Sequence, residues 1–256
     1  MTAAMTAPDI SSAAYRDAYS RINALVVVGE GLADRHFRLL ARSIPQDREE
    51  LERLAAMEGR HAREFVGCGR NLAIKPDLVL AKRLFAPLHA LFLDCDRNSD
   101  LTGCVVIQGV IVECFAVAAY RSYLPVADAY ARPITAAVIG DEAEHLGYAE
   151  RWLSSRLAAV EQAVRLTCKR ALPITLGILV ALAADLQAVG IDPGDLLANF
   201  SDLFQQSLEA IGLEAVVVRR LLIGAAASAA LPALSAQPAV PLKREAPAPD
   251  DRDPPH

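Results

Sequence analysis

Two tetrapeptides of the form Glu-x-x-His, Glu58 to His61 and Glu142 to His145, constrain this chain more than anything else in it. At positions i and i+3 of an α-helix, side chains lie about one turn apart on a common face. Each pair therefore aims one carboxylate and one imidazole in the same direction. Two more glutamates interrupt apolar runs: Glu30 in "NALVVVGEG" and Glu113 in "VIVECFAVAAY". Glu30 precedes Glu58 by 28 residues and Glu113 precedes Glu142 by 29. The same unit occurs twice, a Glu helix followed by a Glu-x-x-His helix, with 52 residues from His61 to Glu113 between the halves.

Charge decides what such a set is for. An ionised carboxylate in an apolar helix is expensive to bury, and taking away its compensating partner costs several kcal/mol. Four carboxylates carry four negative charges, two divalent cations cancel them, and two neutral imidazoles complete the coordination without disturbing the balance. A carboxylate-bridged dinuclear site draws one Glu-x-x-His from each of two helices and one Glu from each of two others in a four-helix bundle. Glu30, Glu58, His61, Glu113, Glu142 and His145 are the expected ligands. Oxygen and imidazole donors with open positions suit iron or manganese better than magnesium or structural zinc. The expected fold is all-α, a ferritin-like four-helix bundle with additional helices, about eight in total. The long middle connection holds an extra helix and suits the crossover of such a bundle.

Helix punctuation agrees. The sequence predicts helices over about 12–42, 46–69, 76–94 with a kink at Pro87, 102–123, 128–157, 158–188 with a kink at Pro173, and a last one from the Asp192 cap and Pro193 to about Gly224. No stretch alternates with period two for long enough to read as a strand. The run "CVVIQGVIVECFAVAAY" from Cys104 is membrane-like but carries Gln108 and Glu113, and is expected as a buried bundle helix rather than a span. A net charge of -5 without a basic stripe argues against nucleic acid as a partner. Five cysteines without a CxxC give neither a disulfide framework nor a cysteine zinc site. Free thiols and a start without an apolar h-region predict a cytoplasmic protein. From Ala236, "AQPAVPLKREAPAPDDRDPPH" is rich in proline and charge and reads as a disordered tail. The expected organisation is a flexible segment 1–11, the helical di-iron domain 12–231, and a tail 232–256.

From about Ala14 to Leu222 the chain resembles the cyanobacterial aldehyde-deformylating oxygenases, also called fatty aldehyde decarbonylases. The stretches that carry the resemblance are "YSRINALVVVGE", "LERLAAMEGRHAREFVGCGRNL", "VVIQGVIVECFAVAAYRSYLPVAD" and "ARPITAAVIGDEAEHLGYAERWL". The resemblance implies a lyase with a non-haem di-iron centre. Such an enzyme turns a long-chain fatty aldehyde, dioxygen and four electrons into formate and an alkane one carbon shorter. The family's six ligand positions fall on the six residues named above. The resemblance also implies two iron ions, electrons from ferredoxin and its NADPH-linked reductase, aldehyde from an acyl-carrier-protein reductase, and a monomer.

Matched positions imply a substrate channel lined or flanked by Val26, Val27, Phe65, Phe85, Phe115, Ala116, Ala119, Tyr120 and Tyr123. Gly29 would let the chain pass close to the metals. Gln108 matches a glutamine expected to hydrogen-bond near the site, and Asp141 is placed to orient a ligating histidine. Cys68 also matches and reads as an inert buried thiol. The chain departs from the family pattern at Leu32, Asp34, His36 and Phe37 after Glu30, at Leu84, at Glu144, and beyond Leu231. Glu144 stands about 200° around the helix from Glu142 and should face away from the metals. Other di-iron or manganese–iron oxidases, rubrerythrin-type peroxidases and iron-binding ferritin-like proteins share such ligands, but need no fatty channel.

Overall fold

The computed structural model describes residues 8–235, and among them every regular element is helical. The first helix, α1, runs Ala13–Ser43. The Ser12 hydroxyl opens it by accepting from the Tyr15 N–H at 3.2 Å. A short 3-10 turn, Pro45–Asp47, reverses the chain into α2, Arg48–Asn71. Glu49 and Glu50 stand in the first turn of α2, where the helix dipole favours negative charge. Leu51, Leu54, Ala55, Glu58, His61, Phe65 and Cys68 repeat at three- and four-residue intervals and form the buried face of α2.

The connection to the second half carries α3, Leu78–Arg97, capped by Asp77. Next comes α4, Leu101–Tyr123, whose middle, Val106–Val112, is π-helical. Helix α5 spans Ala131–Ser154. Helices α1, α2, α4 and α5 form the bundle, with α1 against α2, α2 against α5, α5 against α4, and α4 against α1. Helix α3 packs on α1 and α4. Helices α6 (Leu157–Ala181), α7 (Ala183–Ala188), α8 (Pro193–Ile211) and α9 (Ala215–Ser235) enclose the rest. The bidentate Arg21–Asp185 ion pair, at 2.6 and 2.9 Å, holds α7 on α1. Helix α4 is long and apolar enough to cross a bilayer, but 78% of its most apolar window is buried inside the bundle.

Three boundaries differ from the sequence expectation. The helix expected over 158–188 breaks at Leu182, whose backbone leaves the helical region, so that α7 turns over α1. The last helix divides at Gly212, which adopts φ +111, while the Leu213 N–H closes the turn onto the Leu208 carbonyl at 2.9 Å. Helix α9 then continues to Ser235, past the expected start of the tail. Neither Pro87 nor Pro173 interrupts its helix. Of the two expected flexible ends, residues 1–7 and 236–256 lie outside the described residues. Residues 8–11 lead into a turn in which the Ser12 N–H donates to the Asp9 carbonyl.

Helices α4 and α5 meet closely because Gly109 lacks a side chain. A Cβ there would stand 2.6 Å from the Ala149 Cβ, which has no rotamer to move. Gly109→Ala is expected to lower stability by about 1–3 kcal/mol, as overpacking does. Gly224→Ala, where the added methyl group meets nothing within 4 Å, should be neutral or mildly stabilising. Denaturant midpoints of the two variants would settle the difference; equal shifts would refute the close approach.

Candidate metal centre

Each bundle helix brings polar atoms to one point. Helix α1 supplies Glu30, α2 supplies Glu58 and His61, α4 supplies Glu113, and α5 supplies Glu142 and His145. All six expected ligands therefore meet, and none is more than 4% exposed. The imidazole Nδ1 of His61 lies 3.4 Å from Glu30 Oε2, 3.6 Å from Glu58 Oε2 and 3.5 Å from Glu142 Oε1. The Nδ1 of His145 lies 3.1 Å from Glu58 Oε1, 3.5 Å from Glu113 Oε2 and 2.6 Å from Glu142 Oε2. Two ligand groups result, Glu30–Glu58–His61–Glu142 and Glu58–Glu113–Glu142–His145. Glu58 and Glu142 belong to both, and each turns one oxygen to either imidazole. That is how a carboxylate bridges two cations, while Glu30 and Glu113 each serve one group alone.

The residues fit a metal pair by a second observation. Glu30 Oε2, Glu58 Oε1, His61 Nδ1 and Glu142 Oε1 are buried and have no hydrogen-bond partner among the described residues. Atoms of this kind are normally satisfied, and all four point into the centre. Protons share the charge in the metal-free centre. Burial, with the Glu58 carboxylate next, raises the Glu30 pKa well above the usual carboxylate range. Burial and the Glu142 charge push Glu113 up to about 7. Burial also works against charge on Glu142, but the facing His145 and His61 imidazoles prevail and lower its pKa. Burial disfavours an imidazolium at His61, yet Glu142, Glu30 and Glu58 raise it to about 12. His145 is raised for the same reason by Glu113, Glu142 and Glu58.

Neighbouring groups hold the ligands. The His61 Nε2–H donates to Asp141 Oδ2 at 3.1 Å, which leaves Nδ1 to face the centre. Asp141 is itself paired with Arg60. The Gln108 amide donates to Glu113 Oε1 at 2.8 Å. Five residues apart, these two would diverge by about 140° on an α-helix. The wider π turn just before Glu113 brings them together. The Tyr120 hydroxyl donates to Glu30 Oε1, a contact its expected place in the channel did not disclose. Glu144 faces away, paired with Arg53 at 2.6 Å. Cys68 is buried, which pushes its thiol up to about 12.

An apolar cavity reaches the centre and touches Glu30, Glu58, Glu113 and Glu142. Of the nine expected channel residues, Val26, Phe65, Phe85, Phe115, Ala116, Ala119, Tyr120 and Tyr123 line it. Val27 does not. One helical step beyond Val26, it is turned by about 100° and packs in the small cluster around Phe65, Tyr120 and Val138. Gly29 lies on the wall, where a Cβ would stand 3.3 Å from Phe85 Cζ. The wall also uses Leu179, Leu182, Leu186, Ile191 and Leu196, from α6 to α8, which sequence reasoning did not find. Their leucine-rich spacing marks a buried face without saying what it faces.

The family model described as long-chain fatty aldehyde decarbonylase matches residues 12–227. A solved structure from Synechococcus, described as protein 19 with aldehyde deformylating oxidase activity, is similar at 61% sequence identity and a TM-score of 0.83. The match covers 84% of this chain and 99% of that one.

Because both imidazoles hold protons in the metal-free centre at neutral pH, a divalent cation must displace them. Metal loading should release protons from both histidines and from the raised carboxyls of Glu30 and Glu113, and apparent affinity should rise with pH. Calorimetric titration with cobalt(II) in buffers of different ionisation enthalpy measures this. A heat that does not depend on the buffer would contradict it.

Proposed function

The chain belongs to the long-chain fatty aldehyde decarbonylase family, and from that premise we propose that it deformylates long-chain fatty aldehydes at a pair of non-haem iron ions. One aldehyde, one dioxygen, four electrons and four protons become formic acid, water and an alkane one carbon shorter. The observation that carries this reading is the joining of two features. Two carboxylate–imidazole groups share Glu58 and Glu142, and they stand at the head of an apolar cavity. An iron-storing or peroxidase bundle has use for the first feature but not for the second.

In this reading Glu30, Glu58, His61 and Glu142 would hold one ion, and Glu58, Glu113, Glu142 and His145 would hold the other. The chemistry an iron pair supplies there is activation of dioxygen and polarisation of the aldehyde carbonyl. The protein's residues do the rest. Phe65, Phe85 and Phe115 bury the hydrocarbon chain and keep water away, so that charge at the centre is little screened. Gly29 leaves room for the chain beside Glu30. Tyr120 keeps a proton at the Glu30 carboxylate edge, and Asp141 keeps one on His61 Nε2. Electrons come from outside the chain, and a ferredoxin with an NADPH-linked reductase is the donor we assign, with an acyl-carrier-protein reductase supplying the aldehyde. These partners, a monomeric state and a cytoplasmic setting rest on the family resemblance and on five buried free thiols.

The deciding experiment supplies iron-loaded protein with octadecanal, air and a chemical reducing system. Heptadecane and formate are expected in equal amounts, and both should vanish in Glu113→Ala. Iron uptake and oxygen consumption without alkane would overturn the deformylase reading and leave an oxidase. A protein that binds no iron would overturn the metal centre as well.

A further inference from the structure

Glu113 stands at the inner end of a hydrogen-bond chain that crosses three helices. Gln108 Nε2 lies 2.8 Å from Glu113 Oε1. On the other side of the amide, Gln108 Oε1 lies 2.6 Å from His36 Nδ1, on α1. His36 Nε2 lies 2.8 Å from His89 Nδ1, on α3. Gln108 and His36 are buried, and His89 is half-buried at the outer end. His36 stacks flat on Phe92, with ring centroids 3.7 Å apart at 12°. Its ring is therefore fixed in plane as well as at both nitrogens.

The sense of every bond follows from the inner end. The Gln108 NH₂ donates to Glu113 Oε1, which leaves the amide oxygen facing His36. That oxygen only accepts, so His36 Nδ1 must carry a hydrogen. Burial holds the His36 pKa down to about 3, so the ring is neutral and its Nε2 accepts. His89 Nδ1 must then donate. All three bonds point their hydrogens toward Glu113. Without His36, the Gln108 amide is free to flip and present its oxygen to the carboxylate.

We propose that His36 and His89 are positioning residues for the Glu113–His145 half of the metal centre: they lock the Gln108 amide so that it holds Glu113 Oε1 and leaves Oε2 for the ion. Glu113 Oε2 is the oxygen that faces His145 Nδ1, at 3.5 Å. Among the described residues, the other terminal glutamate, Glu30, has only the Tyr120 hydroxyl at its Oε1. The two halves of the centre are thus held by different means, and the chain acts on one of them. The inference rests on the reading of Glu113 as a metal ligand. His36 also lies in the segment where the sequence departs from the family it resembles.

The test titrates the metal-free, full-length protein with cobalt(II), followed by calorimetry and visible absorption, without any turnover. Wild type should take up two equivalents. In His36→Leu one of the two sites should weaken about ten-fold, as the loss of outer hydrogen-bond partners does, and the other should hold. His36→Asn, whose amide can still donate to Gln108 Oε1, should recover most of the loss. Because His36 acts through Gln108, His36→Leu added to Gln108→Leu should cost nothing further. His89→Ala, at the half-buried end, should weaken the same site by a smaller factor; it carries the test if His36→Leu fails to fold. Unchanged affinity in His36→Leu or His89→Ala, or additive losses in the double variant, would overturn the proposal while the metal centre stands. A wild type that takes up no cobalt would bring down the centre and this inference together.

Discussion

Mutual repulsion of buried carboxylates is the constraint around which this protein is built. Glu30, Glu58, Glu113 and Glu142 come from four different helices and meet with almost no access to water. No arrangement of apolar side chains makes that stable, since each charge loses its hydration and faces others of the same sign. Only added positive charge at the same point restores the balance, as protons on His61 and His145 or as bound cations. Cations bound at that point would add their binding energy to the stability of the fold.

The neighbouring groups make sense on the same terms. Asp141, Gln108 and Tyr120 each make a hydrogen bond with a group of the centre while staying out of the ligand set. Each leaves one defined atom facing inward: His61 Nδ1, Glu113 Oε2, Glu30 Oε2. A flexible carboxylate becomes a directed one. The π segment of α4 belongs to this scheme, because it lets one helix provide both a ligand and the amide that steers it.

Much of the site was legible in the sequence because its key spacing is local. A Glu and a His three apart on a helix share a face whatever the tertiary structure, and two such pairs with a Glu helix before each leave few alternatives. Reading the wall of the cavity needed more. Val26 and Val27 are adjacent and chemically alike, and only the rotation of α1 decides that one faces the cavity and the other does not. The break at Leu182 carries no glycine or proline to announce it; packing of α7 on α1 decides it. The bond between His36 and His89 joins positions 53 residues apart, and no periodicity links them. Gly212, by contrast, is a helix terminator that sequence rules describe, hidden by the apolar periodicity that runs through it.

The cavity meets the centre only through the four glutamates; neither histidine lines it. Everything else on its wall, apart from Asn23 and three tyrosines, is apolar. A molecule bound there is gripped by burial along its length, at about 25 cal/mol for each Å², and recognised at its head alone. Under the reaction proposed here, removal of the head group leaves the tail's grip almost intact. The hydrocarbon product then resembles its parent in everything the wall can feel, while formate, small and charged, has no affinity for that wall. Retention of one product and expulsion of the other are both written into the same surface. The slow event for such a catalyst would be the departure of an oil from an oil-like sleeve into water, where a lipid phase or an acceptor at the mouth would set the pace.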